Sequence, residues 1–489
     1  MKGDFSRDTF DSASHFSRVL MQQGRVQLDA DWNEQASIVL HYLQTLAADL
    51  IGPHGGPAGA LGFEITVPDP AKKEFVIGSG RYYVDGILCA NEHECAYDQQ
   101  PDYPLPEDSS LDLSTIVVSA AASYAVYLDV WERHLSYLDD DHMREAALGG
   151  PDTATRAKTV WQVKIGKTPD PEDPTGREQD LTTEQFKLDA RLQAYARATS
   201  KEERIRLYAE LGSQRKLVAR LQRRFDAAIA AATGSCDASV LRLPRSDARM
   251  QAQVKPVSSS TDPCIIAPDA KYRGAENQLY RVEIHEAVAD ASGATTSWSF
   301  KWSRDNGSIA AAIVKSHGPE LTVYPARGFA AGQWVELTNA GQELRGEPGA
   351  FAKVVKVEGD LLTVDKAVSG CTKVRRWDQG ATGGVKLVDG VIEGKADQWI
   401  DLEQGIQVRF EPGSVYCSGD YWLIPARAAT GKIEWPLDEN GQPAMLPAHG
   451  IEHHYAPLAV LSWDGTAFDA NVTPCRCTID RKTTCPGPA

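Results

Sequence analysis

The chain has 489 residues, of which 42% are hydrophobic and 24% are charged. These fractions are ordinary for globular proteins and exclude wholesale disorder, and the length accommodates roughly two to four domains. The 51 Lys and Arg residues against 67 Asp and Glu residues give a formal net charge of −16. That sign argues against a general nucleic-acid-binding protein, because such proteins neutralise phosphates. No apolar run approaches the roughly 20 residues of a membrane-spanning helix, so membrane insertion is not expected.

The cysteine content and the first residues indicate the cellular compartment in which the chain is expected to fold. Nine cysteines occur, and an odd number of mostly scattered thiols favours a reduced, cytosolic protein. Charges at Asp4, Arg7, Asp8 and Asp11 interrupt the apolar core that a secretory leader would need. We therefore expect this segment to belong to the mature protein, with a cytoplasmic location at synthesis.

Large apolar residues separated by charges characterise the first 22 residues. Such residues cannot form a core alone, but they can fill pockets on another surface. We interpret the segment as a docking arm. The residues expected to contact a partner are Phe5, Phe10, Phe16, Val19, Leu20, Met21 and Trp32. The alternative is that the arm packs on its own domain, through Trp32 and the helix behind it.

The first helix is predicted over residues 31–50. Asp31 and Glu34 form a capping-box pattern at its start. One apolar face recurs at three- and four-residue steps and consists of Trp32, Ala36, Val39, Leu43, Leu46 and Leu50. Gly52-Pro53 ends the helix, and the Gly/Pro-rich stretch to Gly62 is interpreted as a linker. Residues 1–60 are thus predicted to form an N-terminal docking arm and helix.

Residues 61–167 are predicted to form a β-rich domain, because apolar side chains there follow a period of two. Asp85-Gly86 is typical of a tight hairpin turn. Ser123–Trp131 carries apolar residues on both faces, which indicates a central strand, and Val160–Ile165 is a second candidate for that sheet.

An inserted helical hairpin is predicted over residues 168–234. A proline-rich hinge at residues 169–176 precedes two capping boxes, Thr182/Gln185 and Ser200/Glu203. Residues 182–232 contain eleven basic and six acidic residues, a local excess of five positive charges. The hairpin is therefore a candidate contact for an acidic neighbour, although a solvated basic face explains the pattern equally well.

Short alternating runs and turn signals such as Asp305-Asn306-Gly307 fill the rest of the chain. Residues 235–489 are therefore predicted to form a C-terminal all-β region of sandwich or barrel-like type. The fold class predicted for the whole chain is α+β, predominantly β and multi-domain.

A cluster of histidines is the first candidate for chemistry. His449, His453 and His454 could share a metal ion if their segment were helical. Gly450 and the flanking prolines instead favour a loop, in which the histidines hydrogen-bond across a strand junction or a subunit contact.

Cysteines and carboxylates near turns are further candidates. Cys475, Cys477 and Cys485 lack the spacing of a zinc ribbon, so a tail pinned by a neighbouring cysteine or left reduced is favoured. The acidic run at residues 139–141 lacks the glycine and the spaced ligands of a calcium loop, so solvation at a loop tip is expected. Hydrolase, phosphate-binding and nucleophile signatures are absent from the sequence. We expect neither enzymatic activity nor a cofactor or metal.

Long motifs spread over most of the chain resemble a family of phage-tail-like proteins. They include MQQGRVQLDADWNEQ, GRYYVDGILCANE, YRGAENQLYRVEIH, FKWSRDNGSIAA and HGIEHHYAPLAVL, and they leave the helical hairpin as the least similar part. Such proteins are similar to components encoded beside contractile injection systems and tailed-phage-type particles. The resemblance implies a structural or baseplate-associated role, and it implies no particular binding residues.

The sequence therefore predicts a non-enzymatic structural component of a contractile injection system, a virus-like particle, at the baseplate or its periphery. Its expected partners are other subunits of the particle, which could act outside the cell. Two alternatives stay open. One is a receptor- or glycan-binding adhesin that uses some of the 11 Trp and 16 Tyr residues. The other is a glycan-degrading effector carried by the particle.

Overall fold

The computed structural model describes residues 1–117, 120–150, 152–168, 174–198, 246–255, 271–290, 293–380 and 385–479, with scattered residues between 200 and 236. Strands account for 37% of the chain and helices for 19%. These proportions confirm the predicted α+β class with a majority of β structure.

The strands of the described residues are numbered here in chain order. They are β1 His54–Pro57, β2 Ile65–Thr66, β3 Val76–Ile77, β4 Gly80–Val84, β5 Ile87–Asn91, β6 Cys95–Ala96, β7 Ala122–Leu135, β8 Arg156–Lys167, β9 Arg249–Val254, β10 Gln278–Ala289, β11 Thr295–Ser303, β12 Ala310–His317, β13 Glu320–Tyr324, β14 Trp334–Thr338, β15 Ala350–Glu358, β16 Leu361–Val364, β17 Lys373–Trp377, β18 Leu387–Val388, β19 Val391–Glu393, β20 Ile400–Asp401, β21 Ile406–Phe410, β22 Tyr421–Arg427, β23 Lys432–Ile433, β24 Leu446–Pro447, β25 His454–Trp463, β26 Thr473–Pro474 and β27 Thr478–Ile479.

The α-helices with defined bounds are α1 Asp29–Ile51, α2 Leu113–Ile116, α3 Pro174–Arg197 and α4 Ala340–Arg345. Further helical residues lie between 203 and 225. Within the described part of the chain, none of the helices is long and apolar enough to cross a membrane.

The chain divides into two compact units, each built from three separated segments. The first contains Met1–His41, Glu132–Lys158 and Pro244–Glu452. The second contains Tyr42–Trp131, Thr159–Leu243 and His453–Ala489. The domains predicted from the sequence are contiguous, whereas both units combine segments that lie far apart in the chain.

A closed antiparallel barrel is the most regular part of the first unit. Its strand order is β12-β13-β16-β15-β14-β17, and side chains such as Val335, Leu362 and Val374 fill its interior. Closure removes sheet edges, which would otherwise expose unpaired main-chain groups. The same unit contains a six-stranded sheet, β18-β19-β11-β10-β22-β23, and a four-stranded sheet, β20-β21-β9-β24. A closed barrel among further sheets agrees with the architecture predicted for the C-terminal region.

The second unit has one main apolar core, to which three small sheets contribute. Their strand orders are β26-β25-β7-β8, β27-β1-β4-β5 and β2-β3-β6. Because β7 lies between β25 and β8, the predicted central strand and its predicted neighbour are both confirmed. Tyr124, Leu128 and Val163 from these strands are fully buried in the core.

The predicted linker between Gly52 and Gly62 is wrong, because part of it forms strand β1. This strand pairs with β4 on one side and with β27 on the other. Its Gly56 is buried, and a Cβ atom there would lie 2.7 Å from the carbonyl oxygen of Arg81. Glycine therefore allows the strand to approach its neighbours closely, and a composition typical of a linker conceals a sheet element.

The inserted helices are antiparallel in the described residues, as predicted. Gln214 Nε2 donates hydrogen bonds to main-chain and side-chain oxygens of Glu184, and Arg191 Nη1 donates to the carbonyl oxygen of Glu210. Helix α3 starts at Pro174, so the predicted start at Thr182 is wrong. The Thr182 hydroxyl donates to the carbonyl of Glu178, which places this residue inside the helix.

The second predicted helix start is confirmed, because the hydroxyl of Ser200 accepts a hydrogen bond from the main-chain N–H of Glu203. The predicted hinge at residues 169–176 lies partly outside the described residues. Its described end, from Pro174 onward, belongs to helix α3.

Candidate functional site

The first five residues are anchored inside the first unit through their main chain. Asn306 Nδ2 donates hydrogen bonds to the carbonyl oxygens of Met1 at 3.1 Å and Gly3 at 2.9 Å. Arg281 Nη1 also donates to the carbonyl oxygen of Met1, at 3.1 Å. Gly3 is buried, and a Cβ atom there would lie 2.8 Å from the Phe5 ring. A larger residue would therefore have to displace that ring.

A group of charges, which we call the anchor cluster, holds the second residue, and all of its members except the half-buried Lys2 are buried. Its members are Lys2, Arg281, Glu283, Lys301 and Glu336. Lys2 Nζ lies 2.9 Å from Glu283 Oε1. Glu283 also contacts Arg281 Nε at 2.6 Å and Lys301 Nζ at 3.3 Å. Lys301 Nζ lies 2.6 Å from Glu336 Oε1. Each carboxylate therefore has a cationic partner, which burial requires.

The anchor cluster keeps its carboxylates ionised. Burial raises the pKa of Glu283, but the charges of Lys2, Arg281 and Lys301 outweigh burial and hold this pKa well below its usual range. The pKa of Glu336 is likewise lowered against burial, mainly by Lys301 and Lys2. Burial also lowers the pKa of the adjacent His285 to about 4. The imidazole is therefore neutral near pH 7 and adds no charge to the anchor cluster.

Two of the predicted docking residues pack within the chain. The Phe5 ring makes an edge contact with His134 at a centroid distance of 6.0 Å. The Phe10 ring lies 5.6 Å from His41. Both phenylalanines are half-buried, so this part of the arm follows the alternative in which it packs on its own domain. Contact of these residues with a partner stays a prediction.

The following stretch is mostly exposed. A 3₁₀-helix, Ser12–Ser14, is capped by Asp11, and the main-chain N–H of Val19 donates to Gln35 Oε1 at 2.9 Å. Val19 is half-buried. The large apolar side chains that are exposed between residues 16 and 28 are Phe16, Leu20, Met21, Val26 and Leu28, with exposed fractions from 44% to 85%. Three predicted docking residues, Phe16, Leu20 and Met21, therefore face solvent.

Helix α1 begins two residues before its predicted start. The Asp29 carboxylate accepts hydrogen bonds from the N–H and the hydroxyl of Ser6 at 2.8 and 2.6 Å. Asp31 accepts from the N–H of Leu28, and Glu34 accepts from the Thr9 hydroxyl. The predicted Asp31/Glu34 capping box is therefore wrong, because both carboxylates bind residues of the arm that precedes the helix.

The face of α1 that packs on the protein is formed mostly by small and polar residues, with Ile38 as its large apolar member. Ala30 and Ile38 are its buried members, at 2% exposure each, and Gln44 and Ala48 are half-buried. In the second unit a Cβ atom on Gly86 would lie 2.0 Å from the carbonyl oxygen of Gln44. The helix main chain thus lies directly against the β4–β5 turn, where only glycine leaves room for it.

The larger apolar residues occupy the opposite face, which we call the outer stripe. Its members are Trp32, Val39, Leu43, Leu46 and Leu50, with exposed fractions of 67%, 49%, 59%, 56% and 75%. At 3.6 residues per turn these positions fall within about 40° of one line along the helix. The periodicity predicted from the sequence is thus correct, but the stripe faces solvent and not a core.

All strong charges on helix α1 have one sign. It carries the carboxylates of Asp29, Asp31, Glu34 and Asp49, and neither Lys nor Arg. Among the described residues none of these carboxylates forms a salt bridge. The outer stripe is therefore an apolar strip on an acidic helix, a composition that suits a surface for protein contacts.

The histidines singled out in the sequence form separate contacts. His453 Nδ1 lies 2.7 Å from an oxygen of Asp129, which also contacts Lys164 Nζ at 2.6 Å. His454 Nδ1 lies 2.9 Å from Asp85. His449 stacks on a tyrosine ring and its pKa is lowered by burial. Two of the three histidines thus bind carboxylates of neighbouring strands or turns, as the loop interpretation predicts.

Other candidate residues also have structural roles. Cys475 forms a disulfide with Cys236, which agrees with a pinned tail, although a mostly reduced protein was the broader expectation. Cys485 lies outside the described residues. Solvation of the acidic run is wrong for Asp139, whose side chain is 12% exposed and pairs with Arg133 and Lys373. Among the described residues, no group of three or more His, Cys, Asp or Glu is placed to hold a metal ion.

The anchor cluster was not predicted, although strand β10 carries a signal for it. Arg281, Glu283 and His285 alternate with Tyr280, Val282 and Ile284. Charged residues with a period of two in a strand without turn signals indicate a second, polar buried face. The partners of this face come from sequence positions as distant as Lys2 and Glu336, so the alternation does not identify them.

The comparison with family models shows what the chain is related to. A model described as a family of unknown function (DUF6519) matches residues 1–369 and 363–484. The chain belongs to this family. A comparison with curated proteins gives no match.

A comparison with solved structures gives a similarity to a crystal structure of TssK. The TM-score is 0.15 with 7% sequence identity, over 82% of this chain and 99% of that chain. At this level of similarity, function has to be argued from the chain's own residues.

Proposed function

We propose that the chain, as a member of the DUF6519 family, is a non-enzymatic structural subunit of a phage-tail-like contractile injection system. In this proposal it lies at the baseplate or its periphery and contacts neighbouring subunits through residues 12–51. The resemblance of its long motifs to phage-tail-like proteins supports the type of particle. The exposed apolar residues of the N-terminal segment support the mode of attachment.

One observation carries the proposal: exposed large apolar side chains are concentrated in a short part of the sequence. Of the 21 such residues among those described, 12 lie between Phe16 and Leu50. Scattered single exposed apolar residues need no explanation, but a contiguous group marks an interaction surface. A subunit of a large assembly is expected to carry such a surface, because its neighbours cover it.

The pKa values of three buried carboxylates, Asp129, Glu283 and Glu336, indicate structural roles for these residues. Burial raises the pKa of Asp129, but hydrogen bonding from His453 and the charge of Lys164 lower it overall. The pKa values of Glu283 and Glu336 are lowered in the same way by cations. Groups held in one charge state by ion pairs serve structure, whereas proton-transfer catalysis needs a pKa near the working pH.

The proposal is tested by isolating the particle from cells that produce the complete gene cluster. Sheath, tube and the full-length chain are quantified by mass spectrometry across a density gradient. We expect the chain to co-sediment with sheath and tube at a constant ratio through two further purification steps. A chain that stays at the top of the gradient, or whose ratio falls at each step, would show that it is not a structural subunit.

The docking surface is tested in the same preparation with a double variant, Leu43→Gln with Leu46→Gln. We expect its amount in the particle to fall about tenfold, because polar side chains replace the apolar contacts. The control is Leu88→Gln, which changes a similarly exposed leucine (45%) on strand β5. Equal incorporation of both variants would place the attachment elsewhere.

A further inference from the structure

The outer stripe carries information about its partner, and this inference rests on the proposed function. The stripe runs from Trp32 to Leu50, a length of about 27 Å at 1.5 Å per residue. Its residues project from a regular helix, so a complementary surface must be an elongated groove and not a single pocket. Helix-in-groove recognition uses anchors at this spacing.

The edges of the stripe are acidic. On a helical projection Asp31 and Asp49 lie on one side of the stripe, about 100° from its centre, and Asp29 lies about 60° away on the other side. Asp29 is engaged by Ser6, and Asp31 by the main-chain N–H of Leu28. Neither contact neutralises a carboxylate. A covering surface therefore meets negative charge along the rim of the apolar strip.

The same helix of a second copy of the chain is a poor partner for this face. In an antiparallel pair of helices centred on the stripe, Asp31 of one copy would lie beside Asp49 of the other. In a parallel pair Asp31 of each copy would lie on the same edge as Asp29 of the other, because the twofold axis places equivalent residues on opposite edges. Like charges across an interface oppose association, and neither arrangement offers a cation, because the helix has neither Lys nor Arg. An anionic membrane surface is disfavoured for the same reason.

We infer that helix α1 binds an apolar groove with a rim of Lys or Arg residues on a different protein of the particle. The apolar strip supplies the affinity, and the acidic rim selects a basic groove over the same acidic helix of a second copy. The partner is thus specified by its chemistry. It is a heterologous protein whose groove accepts about five helical turns.

Photo-cross-linking in the assembled particle identifies the partner. Leu46 is replaced by a benzoyl-phenylalanine in the full-length chain, and cross-linked peptides are sequenced after irradiation. We expect cross-links to another particle protein, at apolar residues flanked by Lys or Arg. Leu88 carries the same probe in the control, and we expect no cross-link to that groove.

The outcomes separate the inference from the proposed function. Cross-links to a second copy of the chain, or to a groove with an acidic or uncharged rim, would overturn the inference and leave the structural role intact. A chain that sits in the particle without any cross-link from Leu46 would also overturn it. Absence of the chain from the particle would reject the proposed function, and the inference with it.

A charge reversal tests the rim separately. Asp49→Lys and the control Glu92→Lys, at an exposed position in the same unit, are each co-produced with the unmodified chain. The ratio of variant to unmodified chain in the particle is divided by the ratio in the lysate. We expect about a threefold loss for Asp49→Lys and none for Glu92→Lys. Equal ratios for the two variants would contradict a basic rim.

Discussion

Two parts of the N-terminal segment differ in whether their residues find contacts within the same chain. Met1–Phe5 enters the first unit, where its carbonyl oxygens accept hydrogen bonds and Lys2 completes a buried charge cluster. Residues 16–50 present most of their large apolar side chains to solvent, with Ile38 as the buried exception. The first part is complete within one chain, whereas the second lacks a covering surface.

This difference separates folding from assembly along a single stretch of sequence. Burying apolar area contributes roughly 25 cal/mol per Å². The exposed stripe therefore adds little to the stability of the isolated chain, and its burial by a partner would stabilise the complex. Buried ion pairs cannot be left incomplete in the same way, because an unpaired buried charge is strongly destabilising. We therefore expect changes in the anchor to affect unfolding and changes in the stripe to affect attachment.

The largest effect on stability is expected for Glu283→Gln. The variant removes the carboxylate shared by Lys2, Arg281 and Lys301 and leaves buried cations with one remaining acid. We expect a loss of about 3–5 kcal/mol, measured by urea unfolding followed through tryptophan fluorescence. Glu286→Gln is the matched control, since Glu286 is exposed on the same strand. Equal urea midpoints for the two variants would contradict a stabilising role of the anchor cluster.

Acidification is expected to weaken the same region. Burial holds the pKa of His285 at about 4 in the folded chain, against 6.5 for an ordinary histidine. The unfolded chain therefore binds more protons in this range, and stability falls as pH drops from 6.5 to 4. The contribution is about 3 kcal/mol. His285→Gln should flatten the pH profile over that window, and an unchanged profile would argue against a buried neutral imidazole.

A smaller loss is expected for Lys2→Met. The substitution removes one cation, but Glu283 keeps Arg281 and Lys301 as partners. We expect about 2 kcal/mol from the loss of a charged hydrogen bond, again from urea unfolding. Arg7→Met is a control, because Arg7 lies in the same segment and pairs at the surface with Glu434. A larger loss for the control would indicate that surface contacts hold the arm.

The smallest effect on stability is expected in the outer stripe. Leu43→Gln with Leu46→Gln should change the free energy of unfolding by about 0.5 kcal/mol or less, because both side chains already face water. The same unfolding experiment measures it. A loss comparable to that of Glu283→Gln would mean that the stripe packs within the chain and is not a docking surface.

Local patterns in the sequence predicted much of the fold. The strands of the C-terminal region, the central strand β7, the turn at Asp85-Gly86 and the helix start at Ser200 all follow from periodicity or capping. The strand at Gly55-Gly56 did not, because glycines that permit close backbone approach resemble those of a linker. The start of helix α1 was also missed, because its acids bind arm residues such as Ser6 and Thr9.

The candidate site was predicted only in part. Exposure of Phe16, Leu20, Met21 and Trp32 agrees with a docking arm, but Phe5 and Phe10 lie against histidines of the same unit. The sequence predicted that the residues of the outer stripe share one face of the helix, but not what this face contacts, because periodicity shows which residues share a face and not what covers it. Whether an apolar helix face points to solvent or to a core depends on contacts with residues distant in the sequence, which a local pattern does not contain.

Side-chain footprinting of the free chain and of the assembled particle tests the central claim most directly. Hydroxyl radicals modify Met and Trp readily, and Met21 and Trp32 are 55% and 67% exposed in the isolated chain. We predict strong protection of both residues in the particle, while Tyr324, 56% exposed on the barrel, keeps its reactivity. Unchanged modification of Met21 and Trp32 in particles that contain the chain would contradict docking through this surface.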